Sequence, residues 1–172
     1  MTQENEVLSE VVTYMKYAKY LPQKQRRETW EEIVQRNVDM HVKKYPALKT
    51  KIEQVYKDFV LTKRVLPSMR SLQFAGKAIE VNNSRIFNCA YLPIDSMHAF
   101  SETMFLLLSG TGVGYSVQED DVAKLPTIKK PTGRHRRYVI QDSIIGWADA
   151  VKVLMKSYFG HTTSKVTFDF SE

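Results

Sequence analysis

A single cysteine and a glycine-rich turn are the features of this chain best suited to chemistry. Cys89 is the only cysteine among 172 residues, and it lies in the apolar run IFNCAYLPI, which predicts a mostly buried strand over residues 86–94. The turn GTGVG at residues 110–114 follows one short helix later. A thiol can act as a redox group, and glycines let a ligand approach the backbone closely. The two segments therefore predict two walls of one site.

Two interpretations of Cys89 stay open on the residues alone. A lone cysteine in an apolar strand is often a small buried hydrophobic side chain. A redox thiol that forms a disulfide during turnover needs a second cysteine, and this chain has one cysteine. Either Cys89 is structural, or its partner lies on polypeptide outside this sequence. The turn GTGVG is neither a Walker loop nor a dinucleotide fingerprint, because it lacks GK[ST] and leads into a strand.

A basic run is the third candidate for a binding role. It contains Lys129, Lys130, Arg134, His135, Arg136 and Arg137, in a chain of net charge +6 and pI near 9.3. Such a run can hold nucleotide phosphates or contact nucleic acid, or it can be a solvated loop. No Cys/His spacing predicts a metal site.

The elements that must position these groups begin with helices. Thr29-Trp30-Glu31-Glu32 is a capping box, and the apolar residues that follow it keep helical spacing as far as Val42. A second apolar stripe follows Pro46. Residues 1–63 are therefore predicted to form a helical region. Residues 66–72 are predicted to be non-helical, because the segment is short and contains Pro67.

From residue 85 onward strands and helices alternate, which favours a parallel sheet. Asp95-Ser96 predicts a helix start, with Met97, Phe100, Met104, Leu107 and Leu108 on its buried face. Gly110 ends that helix, and a strand over 113–117 follows. Residues 119–137 are predicted to be a loop. Ser143 starts a further helix that Gly160 ends, and a last strand covers 166–170.

Composition places the chain among globular proteins of one ordinary domain, with 43% apolar and 26% charged residues. No apolar run is long enough to predict a membrane span, and the amino terminus does not have the pattern of a secretory signal. A single cysteine excludes an internal disulfide and favours a reducing cytoplasm.

Five segments, taken in order, resemble the catalytic chain of ribonucleotide reductases. They are VLPSMRSL, FNCAYLPI, LLLSGTGVGYSV, IIGWADAVKVLMKSYF and VTFDFSE. The likeness covers roughly residues 10–172, and it is closest to the adenosylcobalamin-dependent class (class II), including forms carried by phages and bacteria.

The resemblance implies an α/β fold, in which an amino-terminal helical layer precedes a ten-stranded α/β barrel. Residues 1–63 would be the helical region and 64–172 the first part of an incomplete barrel. The end of the sequence at Glu172 then implies a split gene, an interrupted frame or a fragment. The second redox cysteine and the radical-forming cysteine would lie on the missing part.

The resemblance also implies roles for individual residues. Cys89 resembles the first of the two cysteines that reduce the ribose 2′ position. Ser68, Asn88 and Gly112 resemble substrate contacts, and Asp95 resembles a contact to the allosteric effector nucleotide. The basic run falls where the family has its first specificity loop, without a residue-by-residue match.

The implied function is the conversion of ribonucleotides to deoxyribonucleotides for DNA replication, inactive without the missing part. The implied cofactor is adenosylcobalamin, with contacts mostly outside this chain. Implied partners are a ribonucleotide substrate, a deoxynucleotide or ATP effector, thioredoxin or a similar reductant, and the missing part of the reductase. A dimer of complete units is expected, and neither a membrane nor direct nucleic-acid binding is.

Two alternatives remain. One is a class I chain, whose radical comes from a separate metalloprotein. The other is a basic nucleic-acid-binding module in which Cys89 is structural.

Overall fold

The computed structural model describes residues 3–171 and shows an α/β protein. Contacts divide the chain into two compact units, unit 1 ending at Ile86 and unit 2 beginning at Phe87. The α/β class predicted from the sequence is confirmed. The ten-stranded barrel, and the domain boundary predicted between residues 63 and 64, stay predictions. No helix in the described range is both long and apolar enough to cross a membrane.

Unit 1 is mostly helical. Its elements are α1 (Gln3–Lys16), the antiparallel strands β1 (Tyr20–Leu21) and β2 (Arg26–Arg27), α2 (Trp30–Lys44), α3 (Lys49–Val55) with a π-helical turn at Tyr56–Val60, α4 (Met69–Phe74) and α5 (Lys77–Val81). A 3₁₀ turn at Asn83–Ile86 ends the unit.

The predicted capping box begins helix α2. The Thr29 side chain accepts a hydrogen bond from the Glu32 amide, and the Glu32 carboxylate accepts one from the Thr29 amide. Arg26 and then Lys24 are the main reasons that the pKa of Glu32 lies well below its usual range. The β1–β2 hairpin, which carries Arg26, is therefore tied electrostatically to the start of α2.

Buried side chains on α2 hold unit 1 together. Ile33 packs with Ala18 and Leu72, and Met40 packs with Ala75 and Ile79. Ile33, Val34 and Val38 are buried, which confirms the predicted stripe. The prediction for residues 66–72 was wrong: helix α4 starts directly after Pro67-Ser68, because the Ser68 side chain caps it by accepting from the Ser71 amide.

Unit 2 consists of parallel strands joined by helices. Its elements are β3 (Cys89–Pro93), α6 (Met97–Leu108), β4 (Gly112–Ser116), α7 (Glu119–Val122), β5 (His135–Val139), α8 (Ile144–Tyr158) and β6 (Lys165–Asp169). Strand β3 pairs with β4 and β5 with β6, both in parallel. Helix α6 packs on α8, and Phe100 meets Phe159 there at a ring distance of 6.0 Å.

Two predictions for unit 2 need correction. Residues 119–137 are not wholly a loop, because α7 occupies their start and β5 takes in residues 135–137. Leu107 and Leu108, predicted to be buried, are 50% and 41% exposed at the end of α6. Gly110 ends this helix as predicted, with a φ of +91° that a residue with a side chain would adopt only with strain.

Candidate active site

The parallel pairing of β3 and β4 brings Cys89 and the glycine-rich turn side by side. Helix α6 returns the chain so that Cys89 is the register partner of Gly112, and Tyr91 that of Gly114. The Gly112 amide starts the pairing by donating a 2.9 Å hydrogen bond to the Asn88 carbonyl. The predicted proximity of the two segments is confirmed, although they are neighbours in one sheet rather than two facing walls.

One face of this strand pair is open. Side chains alternate along a strand, so Cys89, Tyr91, Gly112 and Gly114 share a face. Cys89 is exposed, and Tyr91 is 70% exposed. The prediction that this strand is mostly buried was wrong for this face, because Cys89 and Tyr91 are both exposed on it.

Gly112 and Gly114 have no side chains, so the backbone beside the thiol is exposed. We call the backbone of these two residues the shelf. A Cβ built at Gly112 would lie 3.6 Å from the Asn88 carbonyl oxygen, and one at Gly114 would lie 4.0 Å from its nearest atoms. These are ordinary contact distances, so packing among the described residues does not require glycine at either position. Chemically, the face offers a nucleophilic or reducing sulfur next to backbone that a flat ligand can approach closely.

Thr111 fixes the turn that carries this shelf, a role that sequence reasoning missed. Its side chain is 1% exposed, and its hydroxyl donates to the Phe87 carbonyl at 3.3 Å. This bond joins the approach to β3 with the approach to β4. The sequence signal that could have indicated this role is a threonine between two glycines, Gly110 and Gly112. A β-branched residue in such a turn indicates that its side chain is packed.

Asp95 lies at the other end of the strand pair. The Ile94 amide extends the pairing by donating to the Ser116 carbonyl at 2.9 Å, and half-buried Asp95 follows. Six residues of extended chain place it roughly 20 Å from Cys89. The strand pair thus presents the thiol at one end and a carboxylate at the other.

Ser68 belongs to unit 1, whereas Cys89, Asn88, Gly112 and Asp95 belong to unit 2. Its exposed hydroxyl accepts from the Ser71 amide at 3.2 Å and donates to the Ile86 carbonyl at 3.3 Å. Capping of α4 therefore explains a serine here, and the ligand contact stays a prediction.

The basic run is partly engaged in a sheet. Arg137 forms an ion pair with Asp169 of β6, and the His135 ring lies 3.4 Å from the Thr167 hydroxyl. The Ser171 side chain and then Arg137 keep the pKa of Asp169 below its ordinary value. Lys129, Lys130, Arg134 and Arg136 are exposed and remain the residues best placed to meet an anion.

Comparisons with known proteins agree with the resemblance found in the sequence. The chain is 29% identical, over 83% of its length, to an adenosylcobalamin-dependent ribonucleoside-triphosphate reductase of Lacticaseibacillus paracasei. It is 28% identical, over 68% of its length, to the protein of the same name from Lactobacillus helveticus. No protein-family model matches.

A solved structure shares the fold. The crystal structure of a B12-dependent (class II) ribonucleotide reductase matches 94% of this chain with a TM-score of 0.80 at 20% sequence identity. The chain spans 23% and 20% of the lengths of the two curated relatives, and 32% of the crystallised chain. The predicted resemblance to class II reductases is thereby confirmed for a part of such a protein.

Proposed function

We propose that this chain is part of an adenosylcobalamin-dependent ribonucleotide reductase and carries the first of its two reducing thiols. The observation that carries the proposal is the register of β3 and β4, in which the exposed Cys89 stands opposite Gly112 on an uncovered face. Reduction of a ribose needs a sulfur that substrate can reach. A structural cysteine would instead be expected among buried side chains.

The chemistry assigned to Cys89 is half of a dithiol reduction. The C2′–O bond of the ribonucleotide breaks, a C2′–H bond forms, and the oxygen leaves as water. Two thiols lose two electrons and two protons and become one disulfide. Cys89 supplies one of these thiols. We assign the second to polypeptide outside this sequence, because the chain has one cysteine.

Substrate contacts in the proposal are Ser68, Asn88 and Gly112. Without a side chain, Gly112 lets the ribose approach the backbone beside the thiol. Both curated relatives are named for triphosphates, so ribonucleoside triphosphates are the first substrates to test. An external dithiol reductant of the thioredoxin type would reduce this disulfide back to two thiols after each turnover and would itself be oxidised.

Adenosylcobalamin is proposed as the cofactor of the completed protein, since both curated relatives and the crystallised reductase are named for it or for B12. Residues 3–171 contain no group of three or more His, Cys, Asp or Glu side chains that could hold a metal ion. The cobalt of adenosylcobalamin is held by the corrin ring of the cofactor itself and needs no such set. We assign most of the contacts to the cofactor to polypeptide outside this sequence.

An effector nucleotide is proposed to bind near Asp95, at the end of the strand pair away from the thiol. A separation of roughly 20 Å along β3 leaves room for distinct substrate and effector sites. The exposed Lys129, Lys130 and Arg134 are candidate phosphate partners there. Assembly into a dimer of complete units in the cytoplasm remains part of the proposal.

Reconstitution tests the proposed function. This chain would be combined with the polypeptide that carries the rest of the reductase, adenosylcobalamin, a ribonucleoside triphosphate and reduced thioredoxin, and deoxynucleotide would be measured by chromatography. We expect product with the wild-type chain and none above background with Cys89→Ser, because an oxygen cannot form the disulfide.

Tyr91→Phe is the matched control, since it alters the same exposed face and leaves the sulfur in place. We expect it to retain turnover. Thioredoxin-driven turnover by Cys89→Ser would overturn the redox assignment. Absence of product from the wild-type mixture would overturn the proposed function itself.

A further inference from the structure

A fully buried asparagine joins three helical segments of unit 1. Asn37 on α2 is 0% exposed, and its side-chain nitrogen donates to both the carbonyl and the hydroxyl oxygen of Ser71 on α4, at 2.8 Å each. Its side-chain oxygen accepts a 2.5 Å hydrogen bond from the Tyr56 hydroxyl. Buried amides are tolerated when their donors and acceptors are paired, as they are here.

This network leads directly to Ser68. The Ser71 amide donates to the Ser68 hydroxyl at 3.2 Å, and that hydroxyl donates to the Ile86 carbonyl at 3.3 Å. Ser71 is itself 3% exposed, so water does not compete for the hydrogen bonds that it accepts from Asn37. Every link from Tyr56 to Ser68 lies within unit 1.

The local backbone at Tyr56 is unusual. Tyr56 opens the π-helical turn Tyr56–Val60, which continues helix α3. Such turns are rare and often occur at functional sites. Burial raises the pKa of Tyr56, so its hydroxyl stays protonated and remains a hydrogen-bond donor.

Stability alone does not call for a polar residue at position 37. Asn37 lies four residues after Ile33, on the apolar face that also carries Val34 and Val38. Replacing paired buried polar groups with apolar ones of similar shape is often neutral for stability. A buried polar network does, however, fix one arrangement of the groups that it joins.

We infer that Asn37 and Tyr56 are positioning residues that hold the Ser68 hydroxyl in the orientation needed to contact the nucleotide substrate. The inference rests on the proposed function, because Ser68 is a substrate contact in that proposal. Asn37 fixes Ser71, Ser71 fixes the start of α4 and the Ser68 side chain, and Tyr56 holds the Asn37 amide in the required orientation.

A double-mutant cycle between Tyr56→Phe and Ser68→Ala tests the inference in the reconstituted protein. Tyr56→Phe removes one hydrogen bond and keeps the ring. We expect it to raise the KM for ribonucleoside triphosphate about fivefold with little change in kcat, the effect of losing one such bond. In the Ser68→Ala background we expect Tyr56→Phe to leave KM unchanged, because the group it positions is gone.

Two control variants separate positioning from general loss of stability. Gln35→Ala removes the exposed 2.7 Å hydrogen bond to Asp39 on the same helix and should leave KM unchanged. Val38→Ala loosens the buried face of α2 without touching the network and should lower stability without raising KM. Equal KM increases from Tyr56→Phe in the wild-type and Ser68→Ala backgrounds, or an unchanged KM in both, would overturn the inference.

Hydrogen exchange gives a readout that does not depend on turnover. Mass spectrometry of the peptide spanning residues 66–74 should show faster exchange in Tyr56→Phe than in a Val38→Ala protein of matched stability. Unchanged exchange would refute positioning of Ser68 even if the wild-type mixture makes deoxynucleotide. Faster exchange with an inactive wild-type mixture would support positioning of Ser68 and reject the proposed function.

Discussion

Unit 1 contains a buried network of polar groups, whereas the candidate site of unit 2 lies on an exposed face. Glu28, Asn37 and Ser71 in unit 1 are 7%, 0% and 3% exposed, and each has hydrogen-bond partners inside the unit. In unit 2, Cys89 is exposed, and Tyr91 on the same face is 70% exposed. The buried hydrogen bonds of unit 1 fix how its helices pack, while the face around Cys89 is available to a ligand or to further polypeptide.

The strands of unit 2 show the same openness. Each described parallel sheet has two strands, and parallel sheets are normally covered on both faces. Phe87, Tyr115 and Val117, on or next to β3 and β4, are each 60% exposed or more. Tyr115 is the register partner of Leu92, so it lies on the face opposite Cys89, and large side chains are exposed on both faces of this strand pair. This supports the proposal that other polypeptide completes the site.

The largest expected effect on stability is in unit 1, at its buried ion pair. Arg36 and Glu28 meet at 2.8 Å with side chains 15% and 5% exposed. Glu28→Ala leaves the mostly buried Arg36 guanidinium without its carboxylate partner, so we expect it to lower the free energy of unfolding by about 3 kcal/mol. Urea unfolding followed by Trp30 fluorescence in a Trp147→Phe background would measure it.

Glu53→Ala is the control for that measurement, because its pair with Lys49 is long, at 3.9 Å, and exposed. We expect a change below about 0.5 kcal/mol. Similar losses from both variants would remove the contrast between buried and exposed polar groups in unit 1.

Two glycines of unit 2 give the next prediction. A Cβ at Gly133 would lie 2.6 Å from the Thr163 carbonyl oxygen, whereas one at Gly112 meets nothing closer than 3.6 Å. We expect Gly133→Ala to cost about 2 kcal/mol through overpacking and Gly112→Ala to cost less than about 0.5 kcal/mol. Trp147 fluorescence in a Trp30→Phe background would report unfolding of unit 2.

Measuring the activity of the reconstituted protein adds a second test of the Gly112→Ala variant. Gly112→Ala should raise the KM for ribonucleotide despite its small cost in stability, because the added methyl group occupies the open shelf. An equal stability loss from the two alanine variants would show that the shelf is packed rather than open.

Removing a helix-capping side chain is expected to have a smaller effect on stability. Thr29 caps α2 with its side chain, whereas Ser96 stands at the start of α6 and forms no such bond. We expect Thr29→Ala to cost about 1 kcal/mol and Ser96→Ala to cost almost nothing. Thermal unfolding of both variants checks this, and a loss at Ser96 matching that at Thr29 would contradict it.

The smallest expected effect is the pH dependence of Asp169. Its pKa in the folded protein is lowered below 3.8 by Ser171 and Arg137. Since the folded pKa is the lower one, this stabilisation is complete above the unfolded value and is lost as the pH falls through the folded value. NMR titration of the carboxyl carbon should therefore give a midpoint below 3.8.

Arg137→Gln should raise that midpoint only in part, because the Ser171 contribution is the larger one. A midpoint at the ordinary value in the wild-type protein would show that the pair is not formed in solution.

Local signals account for much of what sequence analysis predicted. The capping box at Thr29, the start of α8 after Ser143 and the end of α6 at Gly110 are all present. Each depends on contacts within a few residues, so the residue types alone determine it. The parallel arrangement also followed from the alternation of strands and helices.

The features that sequence analysis did not predict depend on contacts between residues that are far apart in the chain. Strand β5 lies in a basic run and was not predicted, because its pairing with β6 joins residues about thirty apart in the chain, His135 with Lys165. The exposure of Leu107 and Leu108 was missed because spacing marks an apolar face without showing what covers it. Asn37 left a signal, a polar residue within an apolar stripe, but its partners Tyr56 and Ser71 lie on other helical segments.

By itself, the sequence determined that Cys89 is followed by one helix and then by the glycine-rich turn. The order is read directly from the chain, and the helix and the turn follow from local propensity. Tertiary structure alone decided that Cys89 stands opposite Gly112 on an open face, because strand register depends on how α6 packs and returns the chain. It also decided that Asn37 is tied to Ser68 through Ser71, since hydrogen bonds between distant segments exist only once the helices have packed.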